Sequence, residues 1–249
     1  MRNRSPYIAA LLAALSVASL TYGQVEDPKE VSKAVARDIQ KLFVSEYKSK
    51  DAKHRHGAVD RLSPFKHELI VKCLARAMGD ADSSVRVAAA LRLGKQAAKP
   101  ALKVLSKAFS DRRNAKSPEV LVSILQAYGA HRRSPPMKQM KSLFAEASKE
   151  VQRELVVTLR YLRSTDTVRF LAQHVDMPQP QNVDAGSNPP ASYWKDKIER
   201  WGYCFSAITE TLVHLTGREF DSNKEVRGWL KSSTRILSVE EGDEALKAL

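Results

Sequence analysis

Lys99, Lys103 and Lys107 stand at i, i+4 and i+8, so on a helix they form one cationic stripe opposite Leu105. Lys72 and Arg76 repeat the spacing with Glu68 one turn earlier, and Lys138, Lys141 and Arg169 continue the trend. With Lys66 these make nine basic residues against Glu68, Glu146 and Asp166. The chemistry open to such a surface is electrostatic: a summed positive field attracts anionic groups and weakens as salt rises. An ordinary solvated helix face has the same composition, and the sequence leaves both readings open.

Other clusters offer less. Arg92, Lys95, Arg132, Arg133, Arg160 and Arg163 fall at the ends of helical segments, where cations offset exposed carbonyls. His56 and Asp60 share a helix face at i, i+4, but with no third ligand nearby they read as solvated surface, and the chain calls for no metal and no cofactor. Cys73 and Cys204 sit among apolar neighbours, which read as two buried free thiols rather than a disulfide or a nucleophile. No G-x-S-x-G, P-loop or dinucleotide glycine fingerprint is present. Neither basic cluster interleaves aromatics for stacking bases, so genomic DNA is not the expected target.

The elements that position the lysines follow from periodicity. The 249 residues carry a net charge of +13, few aromatics, and abundant Ala, Leu, Lys and Arg, a balance that favours helix. Residues 1–23 read as a secretory signal peptide: Arg2 and Arg4 precede an apolar run from Tyr7 to Leu20, with cleavage expected near Gln24. That run is shorter than the roughly 20 residues a membrane span needs. The mature chain then has no membrane span, and the expected address is periplasmic or extracellular.

Residues 24–52 form an N-terminal capping helix, opened by Asp27-Pro28-Lys29-Glu30. Residues 53–176 hold four helical pairs: His54–Leu62 with a helix capped by Ser63-Pro64; Ser83–Leu93 with Pro100–Ser110; Pro118–Ala130 with Pro136–Ser148; Glu150–Leu162 with Asp166–His174. In the second pair, Asp82 or Ser83 caps a helix burying Val85, Ala88, Ala89 and Leu93, with Arg86 and Arg92 off that face and a left-handed Gly94 as its stop. Residues 177–192, with Pro178, Pro180, Pro189 and Pro190, read as a flexible insertion. Residues 193–238 form a C-terminal helical cap with Ile198, Trp201, Phe205, Ile208 and Leu212 inward, and residues 239–249 a loose tail.

Corresponding positions in the first helices, Arg55, Arg86 (Val85 in the next step), Val120 and Val151, recur at spacings of 31, 35 and 31 residues. The segment Asp80-Ala-Asp-Ser-Ser-Val-Arg-Val-Ala-Ala-Ala-Leu-Arg-Leu-Gly94, followed by Ala97 to Asp111 with Pro100-Ala-Leu, resembles a HEAT-like repeat. The run Leu215-Thr-Gly-Arg-Glu-Phe220 with Trp229-Leu resembles the closing segment of secreted bacterial HEAT-like proteins of the PBS-lyase-type repeat class. The resemblance implies an all-α, right-handed α-solenoid of helical hairpins whose second helices line a concave surface, which would carry the basic residues. Two HEAT-like subfamilies are enzymes, the bilin lyases and the alkylpurine DNA glycosylases, and no constellation here maps onto either. The expected function is therefore an exported, non-enzymatic scaffold or adaptor binding a protein partner through its concave basic face. The alternative is a binder of an anionic polymer, extracellular nucleic acid or acidic polysaccharide, on the same lysines.

Overall fold

The structure, a computed structural model, describes residues 27–180, 186–233 and 235–248. The signal-peptide reading of residues 1–23 and the centre of the proline-rich insertion lie outside them. The chain forms two compact units, Met1–Ala97 and Ala98–Leu249, so the boundary falls inside the second expected repeat. The first unit holds β1 (Lys29–Glu30), α1 (Lys33–Glu46), α2 (Ala52–Asp60), β2 (Phe65–Lys66), α3 (Glu68–Ala77) and α4 (Ser83–Leu93). The second holds α5 (Ala98–Phe109), α6 (Arg112–Ala115), α7 (Pro118–Ala130), α8 (Met137–Phe144), α9 (Lys149–Leu159), α10 (Thr165–Ala172), α11 (Ala191–Thr216), α12 (Asn223–Ser232) and α13 (Val239–Lys247).

In the first unit α1 packs on α3 and α2 on α4, burying Phe43, Leu62, Ile70, Leu74 and Leu93 completely. Side chains of Ser32, Asp51, His67 and Asp82 cap the four helices by accepting first-turn N–H groups. Three local expectations are corrected. Lys29–Glu30 does not open a helix; it pairs in parallel with Phe65–Lys66, and α1 starts three residues later behind Ser32. Pro64 does not cap α3, because its carbonyl accepts the Lys29 N–H and His67 takes the cap. Gly94 stays right-handed at φ −59°, since Lys95 and Gln96 continue a tight turn onto the Arg92 and Leu93 carbonyls.

Arg86 is a fourth correction. It is buried, because its guanidinium donates to the Asp80 and Ala81 carbonyls at 2.8 and 2.9 Å and so ties α4 to the turn before it. The same turn holds Asp80, whose carboxylate accepts two bonds from Arg55 at 2.8 Å, one from the Tyr47 hydroxyl and one from the Asp82 amide at 2.9 Å. Burial alone would raise the Asp80 pKa; the Arg55, Tyr47 and Asp82 hydrogen bonds outweigh it and hold the carboxyl down at about 2.

In the second unit α5, α7, α9 and α11 pack in succession, each on the next, which is the packing order of an α-solenoid. Leu105, Ile124, Leu125, Leu155 and Leu159 fill the interior, and a buried hydroxyl stitches two rungs: Thr211 donates to the Val156 carbonyl at 3.1 Å. α12 packs on α10, and Phe220 and Trp229 meet edge to face at 6.4 Å. α11 ends where Gly217 adopts φ +72°.

Two regions differ from expectation here. The first three turns of α11 touch their neighbours only in part: Arg200 and Trp201 donate to the Ala147 and Val175 carbonyls, but Tyr193, Ile198 and Tyr203 are exposed, and full burial begins at Cys204. The described residues of the expected loose tail, 239–248, are ordered as a helix and its cap. Val239–Lys247 is a helix with a Ser238/Glu241 capping box, packed on α11 with Gly242 buried against the His214 carbonyl. Apart from the β1–β2 bridge, the described fold is all-α.

Candidate functional site

On α5 the apolar stripe of Ala101, Leu105, Ala108 and Phe109 is buried, which turns Lys99, Lys103 and Lys107 outward, all three exposed. Lys107 lies in the last turn, where an ammonium offsets the free carbonyls. Ion pairs of this unit among the described residues include Arg113–Asp111, Lys149–Glu199 and Arg169–Asp166; Lys99, Lys103 and Lys107 take part in none. A like-charged row at this spacing costs a few tenths of a kcal/mol per pair, and nothing on α5 compensates it. Lys138 on α8 is likewise exposed and makes no ion pair among the described residues.

The other expected site residues are engaged. Lys141 places its ammonium 5.8 Å from the centre of the Phe170 ring. Arg169 pairs with Asp166 at 2.7 Å. In the first unit Lys72 pairs with Glu68 at 3.5 Å, and the Arg76 guanidinium lies 5.3 Å over the Tyr47 ring. The eight basic residues thus divide into four with local partners and four held free in solvent, Lys99, Lys103, Lys107 and Lys138, all in the second unit.

The arginines at helix ends are tied into the structure. Arg92 pairs with Asp60 at 3.0 Å, Arg160 with Glu210 at 3.9 Å, and Arg132 with Asp243 at 3.2 Å and Glu240 at 3.6 Å. Arg163 donates to the His214 carbonyl at 2.9 Å and to the Ser238 carbonyl, joining the end of α11 to the start of α13. Arg132 does this from a left-handed backbone at φ +51°, a conformation that glycine adopts at lower cost.

Of the groups able to do bond chemistry, burial pushes both thiols, Cys73 and Cys204, up to about 11, the reverse of an activated nucleophile. Burial lowers the His174 pKa, and its ring packs on Phe144 and Phe170 at 4.8 and 4.9 Å. His56 and Asp60 do meet at 3.0 Å, but among the described residues no three His, Cys, Asp or Glu side chains converge to hold a metal ion. What the arrangement presents to solvent is positive charge, on Lys99, Lys103, Lys107 and Lys138.

Sequence reasoning missed one surface. On α11, Lys197 stands 4.8 Å over the exposed Tyr193 ring, and Lys149 of α9 stands 5.5 Å over that of Tyr203. The Tyr193/Lys197 spacing at i, i+4 was the available signal.

No family model matches the chain, and no curated protein matches it. Among solved structures it is similar to a designed armadillo repeat protein, YIII(Dq)4CqI, at 17% identity and a TM-score of 0.39, covering 84% of this chain and 98% of that one. At that TM-score the fold rests on the helix packing above. No helix among the described residues is long and apolar enough to cross a membrane.

Proposed function

We propose that the chain is an exported, non-enzymatic scaffold of HEAT-like helical hairpins that binds an acidic surface of a protein partner through the basic faces of its second helices. The observation that carries this reading is the row Lys99, Lys103 and Lys107, exposed, evenly spaced and without ion pairs among the described residues. The buried apolar stripe fixes the helix that carries the row, so binding must order the lysine side chains but not the backbone. Lys138 belongs to the same set of free cations on a second helix, α8. The encounter is expected to be fast and strongly dependent on salt, because field steering falls off within a Debye length of about 8 Å at physiological ionic strength. The buried, high-pKa thiols disfavour a cysteine nucleophile.

The test uses the full chain with Lys99, Lys103 and Lys107 changed together to Glu. These positions are exposed, so folding is expected to survive, as circular dichroism will verify. Partner capture from an envelope extract is expected with the native chain and lost with the variant; undiminished capture refutes the site. Retention of the native chain on heparin above physiological salt, with no protein captured, transfers the site to the anionic-polymer reading. Export is checked separately by N-terminal sequencing of the secreted chain, which should begin near Gln24.

A further inference from the structure

The helix α13 is acidic, yet its seat is built around a fully buried imidazole. His214 lies in the last turns of α11 with no side-chain surface exposed. Its Nε2 is 3.0 Å from the Asp243 carboxylate of α13, and its Nδ1 is 3.2 Å from Nη1 of Arg163. A guanidinium has donors only, so Nδ1 must be the acceptor, and the single ring proton therefore sits on Nε2 and is donated to Asp243. The neighbours thereby select one neutral tautomer.

Every packed element adds a charged group here. From the segment after α9 come Arg163 and the Tyr161 ring at 6.2 Å, and from the end of α9 Arg160, which pairs with Glu210 of α11. From the segment after α7 comes Arg132, which grips Asp243 and Glu240. From α13 come Asp243, Glu240 and Glu241, the last engaged with Arg235. Backbone contact is equally close: a Cβ on Gly242 would stand 2.3 Å from the His214 carbonyl oxygen.

We propose that α13 is an acid-released latch: protonation of His214 at Nδ1 sets a donor against the Arg163 guanidinium and frees Ser238–Lys247 from α11. Among the described residues the partner of Nδ1 in the docked seat is the Arg163 guanidinium, which cannot accept that second proton, whereas an undocked His214 can turn to water. Burial, reinforced by Arg163 and Arg160, lowers the docked His214 pKa in spite of Asp243. A histidine lowered in the docked state favours docking above the free-imidazole pKa of about 6.5, and that advantage is lost as pH falls below it. Asp243 is itself held below the ordinary carboxylate range by its bond to His214, so it stays ionised through this window. Release takes Asp243 and Glu240 away from the already exposed Arg132 and the Ser238 carbonyl away from the half-buried Arg163, leaving a basic surface that the chain's own acidic helix neutralises at neutral pH.

The experiment is hydrogen exchange on the full chain between pH 7.5 and 5, expressed as protection factors so that intrinsic rates cancel. Protection in 240–248 is expected to fall roughly tenfold or more, while α7 and α9 keep theirs. His214→Gln, which retains a donor toward Asp243 and cannot ionise, is expected to abolish the fall. Where that variant is not folded, the native His214 ring proton is followed by NMR, and its titration should coincide with loss of α13 protection. A constant protection across this range, an undiminished fall in His214→Gln, or a His214 that titrates while α13 stays protected overturns the proposal.

Discussion

Replacing Asp80 by Asn keeps the shape of the side chain and removes the charge that organises the first unit. The carboxylate is 4% exposed and holds both arms of Arg55, the Tyr47 hydroxyl and the Asp82 amide. An amide can still accept, but it cannot receive the guanidinium through two charged oxygens. The displacement of the Asp80 pKa from 3.8 to about 2 is worth about 2 kcal/mol at about 1.4 kcal/mol per pH unit. Arg55 is not stranded by the change, because it also donates to the Ser49 and Lys50 carbonyls at 3.1 and 2.9 Å, so the larger losses seen when buried pairs are broken are not expected. A loss of about 2 kcal/mol lowers protection in α2 and α4 about thirtyfold at pH 7. The three tryptophans all lie in the second unit, so fluorescence is blind to this region, and hydrogen exchange or far-ultraviolet circular dichroism is the assay. A carboxylate whose folded pKa is depressed stabilises above its ordinary pKa and loses that contribution as pH falls from 3.8 toward 2. Asp80→Asn should therefore weaken the unit at pH 7 and flatten its acid destabilisation in that interval. Unchanged protection in α2 and α4 at pH 7, or an acid response identical to the native one, refutes the reasoning.

Three further outcomes are expected. Gly217→Ala forces a side chain into φ +72° and 3.2 Å from Leu237, so thermal unfolding should reveal a loss of about 1 kcal/mol. Arg132→Gly relieves a left-handed arginine but releases Glu240 and Asp243; exchange should show weaker protection in α13 with α7 unchanged or firmer. Cys73 and Cys204, buried and held near a pKa of about 11, should resist a thiol reagent at pH 8 and react together with unfolding in denaturant.

Local signals were readable and distant ones were not. The limits of α4 and α7, and a cap for α4 at Asp82 or Ser83 (Asp82 in the structure), follow from residues within one turn of each other. Gly94 carries the same signature as Gly217 but stays right-handed, because the two residues after it continue a turn. Arg86 lies off the apolar stripe of α4 by periodicity, yet carbonyls of the preceding turn draw it inside. The exposure of the α5 lysines was legible, since the buried face alone determines it. The pairs Lys72–Glu68 and Arg169–Asp166 lie within one turn and were equally legible, whereas Arg132 meets its carboxylates only through the fold. The acidic composition around Gly242 suggested a tail, although Ser238-Val-Glu-Glu241 already spelled a capping box.

The polar stitches between neighbouring helices also bear on the order in which the chain assembles. Gln96 to the Phe65 carbonyl, Arg92 to Asp60 and Tyr47 to Asp80 close intervals of 31 to 33 residues. Such contact order is low, and each closure needs only the helices on either side of it, so folding can begin at several places and spread. The clasp from Arg163 to Ser238 closes 75 residues and requires α11 to be in place first. The acidic helix can therefore dock only once α11 is in place, and it is the first piece to leave when the neutral imidazole beneath it is lost.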